Sequence, residues 1–404
     1  MKILLAHNFY RSSAPSGEDA VYRNERALLE KHFELVRFEK YNDDLDDSTL
    51  AKKLRLALDG AWSRQTYREL TDLIRREKPD VAHFHNTFPQ ITPAAWSACR
   101  DQGVPVVQTL HNFRYICPGA LLQRDSEPCE RCVEGSLINA LRYRCYRDSL
   151  SASAAQTWTI LRNRINGSFR NKVNRYLALT EFAAGRMVAG GLPGDRITVK
   201  PNFLPSPPQP GAGEGGYVVY TGRLSVEKGV RTLLEAWRRI EHPPRLLLMG
   251  DGPLRAELEN YVSSHQVNAE FLGYCDADTV IATVRGASLQ VIPSEWYEGF
   301  PMVVLEAYAC GTPVLAASIG SLDEVVEENV TGFKFQAGNV HHLSDKIRQI
   351  LSDSTGLKAM RQTVRETFDN HYTAEQNLAA ITDVYRTVIA ENRDKGRAFS
   401  GIAG

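Results

Sequence analysis

The chain has 404 residues with 48 basic and 48 acidic side chains, 43% hydrophobic and 24% charged. That is the composition of an ordinary globular protein, and its length suits two domains better than one core. A formal charge of zero argues against a dedicated nucleic-acid binder. No apolar run approaches ~20 residues, so no helix is expected to span a bilayer. The opening Met1-Lys2-Ile3-Leu4-Leu5-Ala6-His7 turns polar too soon for a signal peptide, and a cytoplasmic protein is expected.

In chain order, Lys2–Ala6 reads as a first strand, followed by a loop from Asn8 to Gly17. Ser16 and Asp19 form a capping-box pattern that opens a helix to Lys31. Phe33–Phe38 is strand-like, and helical patterns follow over Ser48–Leu58 and Ser63–Glu77. Val81–Phe84, Val104–Thr109 and Tyr176–Leu179 read as further strands with helices between them. A Pro- and Gly-rich stretch from Pro201 to Gly216 cannot continue a helix or central strand and reads as a linker.

The alternation then restarts. Strands at Tyr217–Thr221, Arg245–Met249, Ala269–Leu272, Ser288–Ile292 and Pro313–Ala316 are separated by helices at Glu227–Arg239, Pro253–Ser263, Asp276–Arg285 and Pro301–Ala309. His341 to Glu391 reads as two or three helices. Short apolar strands alternating with longer amphipathic helices imply an α/β protein with parallel sheets covered on both faces. The domain boundaries read as 1–200, a linker at 201–216, a second domain at 217–371, and a terminal helix at 372–404 that packs back on the first domain.

Chemistry-bearing residues collect at strand ends in the second half. Gly222-Arg223-Leu224 follows the first strand there, and Glu227-Lys228-Gly229 opens the next helix. Two cations beside helix-terminal amides suit a diphosphate. Gly250-Asp251-Gly252-Pro253 follows the next strand, and its glycines let a backbone approach a ligand or simply turn. Glu298 lies in a loop after a third strand end, and Glu306 lies two turns into the helix beginning at Pro301.

Together, Gly222-Arg223-Leu224…Glu227-Lys228-Gly229, Gly250-Asp251-Gly252-Pro253 and Glu298-Gly299-Phe300-Pro301…Glu306 resemble the retaining GT-B glycosyltransferases, specifically the group 1, or GT4, family. The resemblance implies two facing Rossmann-like domains with a cleft between them. It implies that Arg223 and Lys228 hold the donor diphosphate, that Glu306 takes the ribose hydroxyls and that Glu298 contacts the donor sugar. Gly299, Phe300 and Pro301 would shape the pocket, and Gly273-Tyr274 would cradle the nucleobase, with Gly222 and Gly250 also on the donor. In the first half it carries over Gly17 to the donor phosphate and His111, in Thr109-Leu110-His111-Asn112, to the donor sugar. His85 and Asn86 would face the acceptor side. The implied mechanism is front-face transfer with retention, without a catalytic metal. His83 and His85 have no acid or cysteine near them in sequence to complete a metal site.

Cys117, Cys129, Cys132 and Cys145 give C-x11-C-x2-C-x12-C within an insertion at about 112–150. One C-x2-C pair with two outliers suits a structural zinc with four thiolates; free cysteines or a redox-sensitive pair are the alternatives. From Arg142 to Arg175 eight basic residues stand against one acid, Asp148, interleaved with Tyr143, Tyr146, Leu150, Trp158, Ile160, Leu161, Ile165 and Phe169. This reads either as a solvated face or as an anionic acceptor or membrane surface, with peripheral attachment at the inner membrane face. No RNA-binding motif accompanies it.

The function expected from the resemblance is hexosyl transfer from a UDP- or GDP-sugar to a saccharide, lipid-linked or small-molecule acceptor. A sugar-nucleotide 2-epimerase shares the architecture, and a non-catalytic nucleotide-sugar-binding protein is the non-enzyme rival.

Overall fold

Strand β1, Lys2–Phe9, buries seven of its eight residues, because a parallel strand with helices on both sheet faces has no solvent side. A computed structural model describes residues 1–13, 16–45, 49 and 59–400. The helical pattern at Ser48–Leu58 lies outside the described residues, apart from Thr49. The chain divides into two units. One comprises residues 1–122, 129–201 and 377–404; the other comprises 123–128 and 202–376.

The first unit carries a six-stranded sheet of β2 (Glu34–Tyr41), β1, β3 (Val81–Phe84), β4 (Val106–Leu110), β7 (Arg175–Ala178) and β8 (Ile197–Val199), in that order. Every pairing is parallel. The order reverses between β1 and β3, the topology of a flavodoxin-like sheet. The Gly17–Glu30 helix starts from the expected capping box, with Ser16 and Asp19 each bonded to the other's backbone. The helix Ala374–Ser400 supplies Ile381, Val384, Tyr385 and Val388 to the same apolar cluster as Ile3, Leu5, Val107 and Leu177.

The second unit carries a sheet ordered β11 (Ala269–Gly273), β10 (Arg245–Met249), β9 (Tyr217–Thr221), β12 (Leu289–Ile292), β13 (Val314–Ala317) and β14 (Gly332–Phe335). This is the doubly wound order, with its switch point between β9 and β12. Period-two alternation places Val218, Tyr220, Leu246 and Leu248 in one buried cluster with Trp237 and Leu343. Val219, Leu247 and Met249 lie in the opposite one with Tyr308 and Phe368. The short β8 and β14 were not read as strands in the sequence.

The Pro- and Gly-rich stretch is not a free tether. The Gly211 amide donates to Cys310 O at 2.9 Å and the Gly215 amide to Gly286 O at 2.9 Å. Arg361 Nε donates to Gly211 O at 2.9 Å. The prolines here have no backbone N–H to donate, and the second unit captures the amides of Gly211 and Gly215. A small two-stranded ribbon, β5 (Gln123–Arg124) and β6 (Glu127–Pro128), accounts for residues 123–128.

Candidate functional site

Strand β9 ends at Thr221, and the chain must turn at once without blocking the end of β10. Gly222 and Gly250 meet there so closely that a Cβ on Gly250 would lie 1.9 Å from Gly222 O. The Gly222 amide donates to Met249 O at 3.0 Å and the Leu224 amide to Asp251 O at 3.0 Å, fixing the two loops against each other. They form the wall of a pocket of about 410 Å³ that includes Gly222, Arg223, Gly250, Asp251, Tyr274 and Glu306. It lies at the carboxyl ends of the strands, where such sheets bind ligands.

Lys228 does not open the following helix as the sequence suggests. It ends a 3-10 turn, and Gly229, with a left-handed φ of 66°, starts the Val230–Trp237 helix. A Cβ at Gly229 would lie 1.9 Å from Pro293 O, so this turn and the loop after β12 require a residue without one. That approach brings Lys228 Nζ to 2.6 Å from Glu298 Oε1, while Ser294 Oγ donates to the same oxygen at 2.8 Å. Nζ also stands 5.3 Å from the Trp296 ring centre. Glu298 is 9% exposed. Arg223 is exposed and has no ion-pair partner among the described residues.

The two acids of the Glu298–Glu306 pattern have different surroundings. Glu306, on the Met302–Ala309 helix, faces the pocket, and burial pushes its carboxyl up to about 7. Pro301 caps that helix and is buried. Gly299 O accepts from Ser321 Oγ at 3.5 Å, and the Phe300 ring packs edge-on to Tyr372 at 6.3 Å. Gly273 closes β11 with a left-handed φ of 71°, which presents Tyr274 at the pocket, 86% exposed.

In the first unit, β3, β4 and the residues that follow them join Glu25, Lys200 and Tyr385 in a buried polar chain. His111 Nε2 and His85 Nδ1 are 2.9 Å apart, and His85 Nε2 is 3.2 Å from Glu25 Oε1. Lys200 Nζ donates to Glu25 Oε2 at 2.9 Å. His83 bonds Tyr385 Oη at 2.7 Å through Nδ1 and Thr109 Oγ1 at 2.8 Å through Nε2. Burial acts to raise the Glu25 carboxyl, but the Lys200 ammonium and the two imidazoles outweigh it and hold the group well below its usual range. Burial, then the neighbouring His85, keeps His111 well below the usual imidazole value and therefore neutral.

Glu25, His83 and His85 bring their ligand atoms within 4.8 Å of one another, so an acid distant in sequence does join the two histidines. The Lys200 ammonium already compensates that carboxylate, which disfavours a cation at the same place. Asn86 is engaged with backbone: Nδ2 donates to Asn8 O at 2.7 Å, and Oδ1 accepts from the Phe88 amide at 3.0 Å. Gly17, in the first turn of its helix, is exposed, with open space where a Cβ would be.

The sequence gives no site role to Glu18, Asn112 or Arg114, although Asn112 stands in the His111 motif. Asn112 Nδ2 donates to Glu18 Oε1 at 2.6 Å, and all three border a small recess beside His111. Arg114 lies 4.3 Å from the centre of the Phe88 ring, with Nε and Nη1 buried and unpartnered among the described residues. The signal available was that Asn112 and Arg114 immediately follow His111 at the end of β4.

The model of the Glycosyl transferases group 1 matches residues 207–367, and that of Glycosyltransferase Family 4 matches residues 39–205. An uncharacterized glycosyltransferase of Methanocaldococcus jannaschii is 30% identical over 174 residues, 43% of this chain and 48% of the relative. The N-acetyl-alpha-D-glucosaminyl L-malate synthase of Bacillus anthracis is 27% identical over 331 residues, 81% of this chain and 79% of that protein. The chain spans about half or less of several curated relatives it matches, 48%, 36% and 42% in three cases. Among solved structures, Anabaena HepE in complex with UDP superposes with a TM-score of 0.65 at 17% identity, over 96% of this chain and 100% of that one. With its two halves matched in succession by these two models, and with two parallel Rossmann-like sheets in the GT-B pattern, the chain belongs to the group 1 glycosyltransferases.

Proposed function

We propose that the protein transfers a hexosyl group, with retention, from a UDP- or GDP-sugar to a hydroxyl of a saccharide, lipid-linked or small-molecule acceptor. The observation that carries this reading is the pocket at the switch point of the second sheet. It combines glycine-lined backbone, the exposed cation Arg223, the carboxyl of Glu306 and the open ring of Tyr274.

Each group has a role matched to its chemistry. The Tyr274 ring offers a face on which a base stacks. Glu306 as carboxylate accepts the two ribose hydroxyls. Arg223 and Lys228 stabilise the charge that builds on the departing diphosphate, assisted by the amides that open the Met302–Ala309 helix. Lys228 is already beside Glu298, so a sugar hydroxyl on Glu298 and a phosphate oxygen on Lys228 are held as neighbours. His111, being neutral, orients a sugar hydroxyl without adding charge, and His85, Glu25 and Lys200 fix its ring. The leaving phosphate oxygen takes the acceptor proton on the same face, so positioning and electrostatics supply most of the rate.

The reading extends to peripheral contact with an anionic membrane. The helix Leu150–Ile165 turns its polar residues Ser153, Gln156 and Asn163 inward and leaves Leu150, Trp158, Leu161 and Ile165 from 42% to 73% exposed. Two of the inward polar groups bond backbone: Ser153 Oγ accepts from the Tyr146 amide at 3.0 Å, and Asn163 Nδ2 donates to Ala61 O at 3.2 Å. Exposed Arg142, Arg144, Arg147 and Arg170 belong to the same segment. An apolar stripe in a basic segment suits an anionic bilayer. A second copy would set like charges against one another.

The test is a thermal-shift and calorimetric panel of nucleoside diphosphates and their sugars. Selective stabilisation by one base series is expected, followed by acceptor-dependent release of that diphosphate. No stabilisation by any of them would overturn the reading.

A further inference from the structure

We propose that the recess beside His111 takes a carboxylate of the acceptor, with the Arg114 guanidinium as its partner. The assignment rests on the transfer reaction proposed above and names the acceptor's class, a hydroxyl compound that carries a carboxylate, as a uronic acid does.

Arg114 lies just past the end of β4, where Asn112 Oδ1 accepts from the Arg114 amide at 3.0 Å and bends the chain. Its side chain lies on the Phe88 ring, 4.3 Å from the ring centre. A ring face attracts the cation, but it leaves the in-plane N–H groups without an acceptor. The Tyr10 hydroxyl is within hydrogen-bond reach of the guanidinium, yet Nε and Nη1 are buried with no partner among the described residues. Buried donors are nearly always paired, because an unmade bond costs the hydration that the group had in the unfolded chain. A guanidinium held this way is prepared for an oxygen supplied by a ligand.

The nearby acid does not supply that oxygen. Glu18 Oε1 accepts from Asn112 Nδ2 at 2.6 Å, and Oε2 accepts from Tyr10 Oη at 3.2 Å. No ion pair joins Glu18 to Arg114 among the described residues. Burial pushes the Glu18 carboxyl up, against the hydrogen bond from Asn112 and the charge of Arg114. Glu18 therefore orients Asn112 and Tyr10, and the cation keeps charge to offer to a ligand.

Size selects the group that enters. The recess has a volume of about 20 Å³, room for an oxygen-sized group and not for a sugar ring. It recognises one end of an acceptor whose body lies outside. A planar carboxylate meets a guanidinium with little bulk, whereas a phosphate brings three terminal oxygens around a tetrahedral centre. His111 lines the same recess, so an acceptor anchored on Arg114 is held next to the imidazole proposed to orient the sugar.

The surroundings carry matching charge. Phe88 packs edge-on to Tyr146 with ring centres 6.3 Å apart, and Arg147 stands 5.4 Å from the centre of the Tyr146 ring. Arg142, Arg144 and Arg147 are exposed on this insertion. Exposed cations two rings away from Arg114 raise the local concentration of an anion, and the buried guanidinium then fixes its place.

The experiment uses the full chain with the nucleoside diphosphate selected by the binding panel. Methyl β-glucuronide and methyl β-galacturonide are titrated against their carboxyl methyl esters and against glucose 6-phosphate, with binding followed by saturation-transfer NMR. At least one acid should bind about tenfold or more tightly than its ester, and Arg114→Met should abolish that difference while Arg114→Lys keeps part of it. A packing role alone would move stability and leave the acid-to-ester ratio unchanged. If Arg114→Met does not fold, Arg114→Lys and the wild-type ratio decide. Equal binding of acid and ester in both sugars, tighter binding of the phosphate, or no binding of either acid up to about 50 mM would overturn the carboxylate assignment. If no nucleoside diphosphate binds, the transfer reading fails, while the acid-to-ester ratio measured without nucleotide still tests the recess.

Discussion

Replacing Glu306 with glutamine should stabilise the free protein at alkaline pH while weakening nucleotide binding. Burial holds the Glu306 carboxyl at about 7, against 4.5 as its ordinary value. Between those two values the folded chain keeps a proton that the unfolded chain has released, so stability falls as pH rises through that window. Above about 7 the whole cost is present, and below about 4.5 none of it is. At about 1.4 kcal/mol per pH unit the cost has a ceiling near 3 kcal/mol, and solvent reaching the group through the pocket lowers it to about 1–3 kcal/mol. Glu306→Gln has no carboxylate to bury. In urea denaturation without ligand, the variant should gain that amount over wild type at about pH 8 and little near pH 5. Nucleotide should show the opposite. Wild-type affinity should increase as pH rises through about 7, whereas the variant should be pH-independent there and about 10- to 150-fold weaker, for the loss of about 1.5–3 kcal/mol of charge-assisted hydrogen bonding. A variant no more stable than wild type at pH 8, together with wild-type affinity that is flat across neutrality, would refute both the burial and the ribose assignment.

Three further outcomes follow from the same geometry. Lys228→Ala should cut kcat/KM about 100-fold in steady-state assays by removing charge stabilisation from the leaving diphosphate and leaving Glu298 unpaired; a change under about twofold would remove Lys228 from the site. Lys200→Met should cost about 3–5 kcal/mol in urea denaturation because it strands the buried Glu25 carboxylate, and adding Glu25→Gln should recover most of that; equal single and double variants would show the pair is not coupled. Trp158→Ser with Ile165→Ser should reduce sedimentation with phosphatidylglycerol vesicles at least about tenfold without lowering thermal stability, and vesicles of phosphatidylcholine alone should bind little in either case; equal binding to both lipids would contradict an anionic partner.

The pocket proposed for the donor was legible in the sequence because each of its parts is local. A strand end, a glycine and a charged residue lie within a few positions of one another, and parallel topology brings successive strand ends to one edge. Even so, the different surroundings of Glu298 and Glu306 were not visible, since they depend on Ser294 and Lys228 holding one acid while the other has no such partner among the described residues. The histidine network was far less accessible. Glu25 meets His85 across 60 residues and Lys200 across 175, and Tyr385 meets His83 across 302. No periodicity encodes such pairs. The helix Leu150–Ile165 misleads a hydropathy reading for a physical reason. The polar side chains of Ser153 and Asn163 find backbone partners inside, so the fold tolerates their burial beside Ile160 and leaves Leu150, Trp158, Leu161 and Ile165 outside.

The most direct test of the donor site is a crystal structure with the nucleoside diphosphate selected by the binding panel. The diphosphate is expected against Gly222, Arg223 and Lys228, with the ribose hydroxyls on Glu306 and the base beside Tyr274. A diphosphate bound away from β9 and β10, with Glu306 untouched, would contradict the proposed donor site.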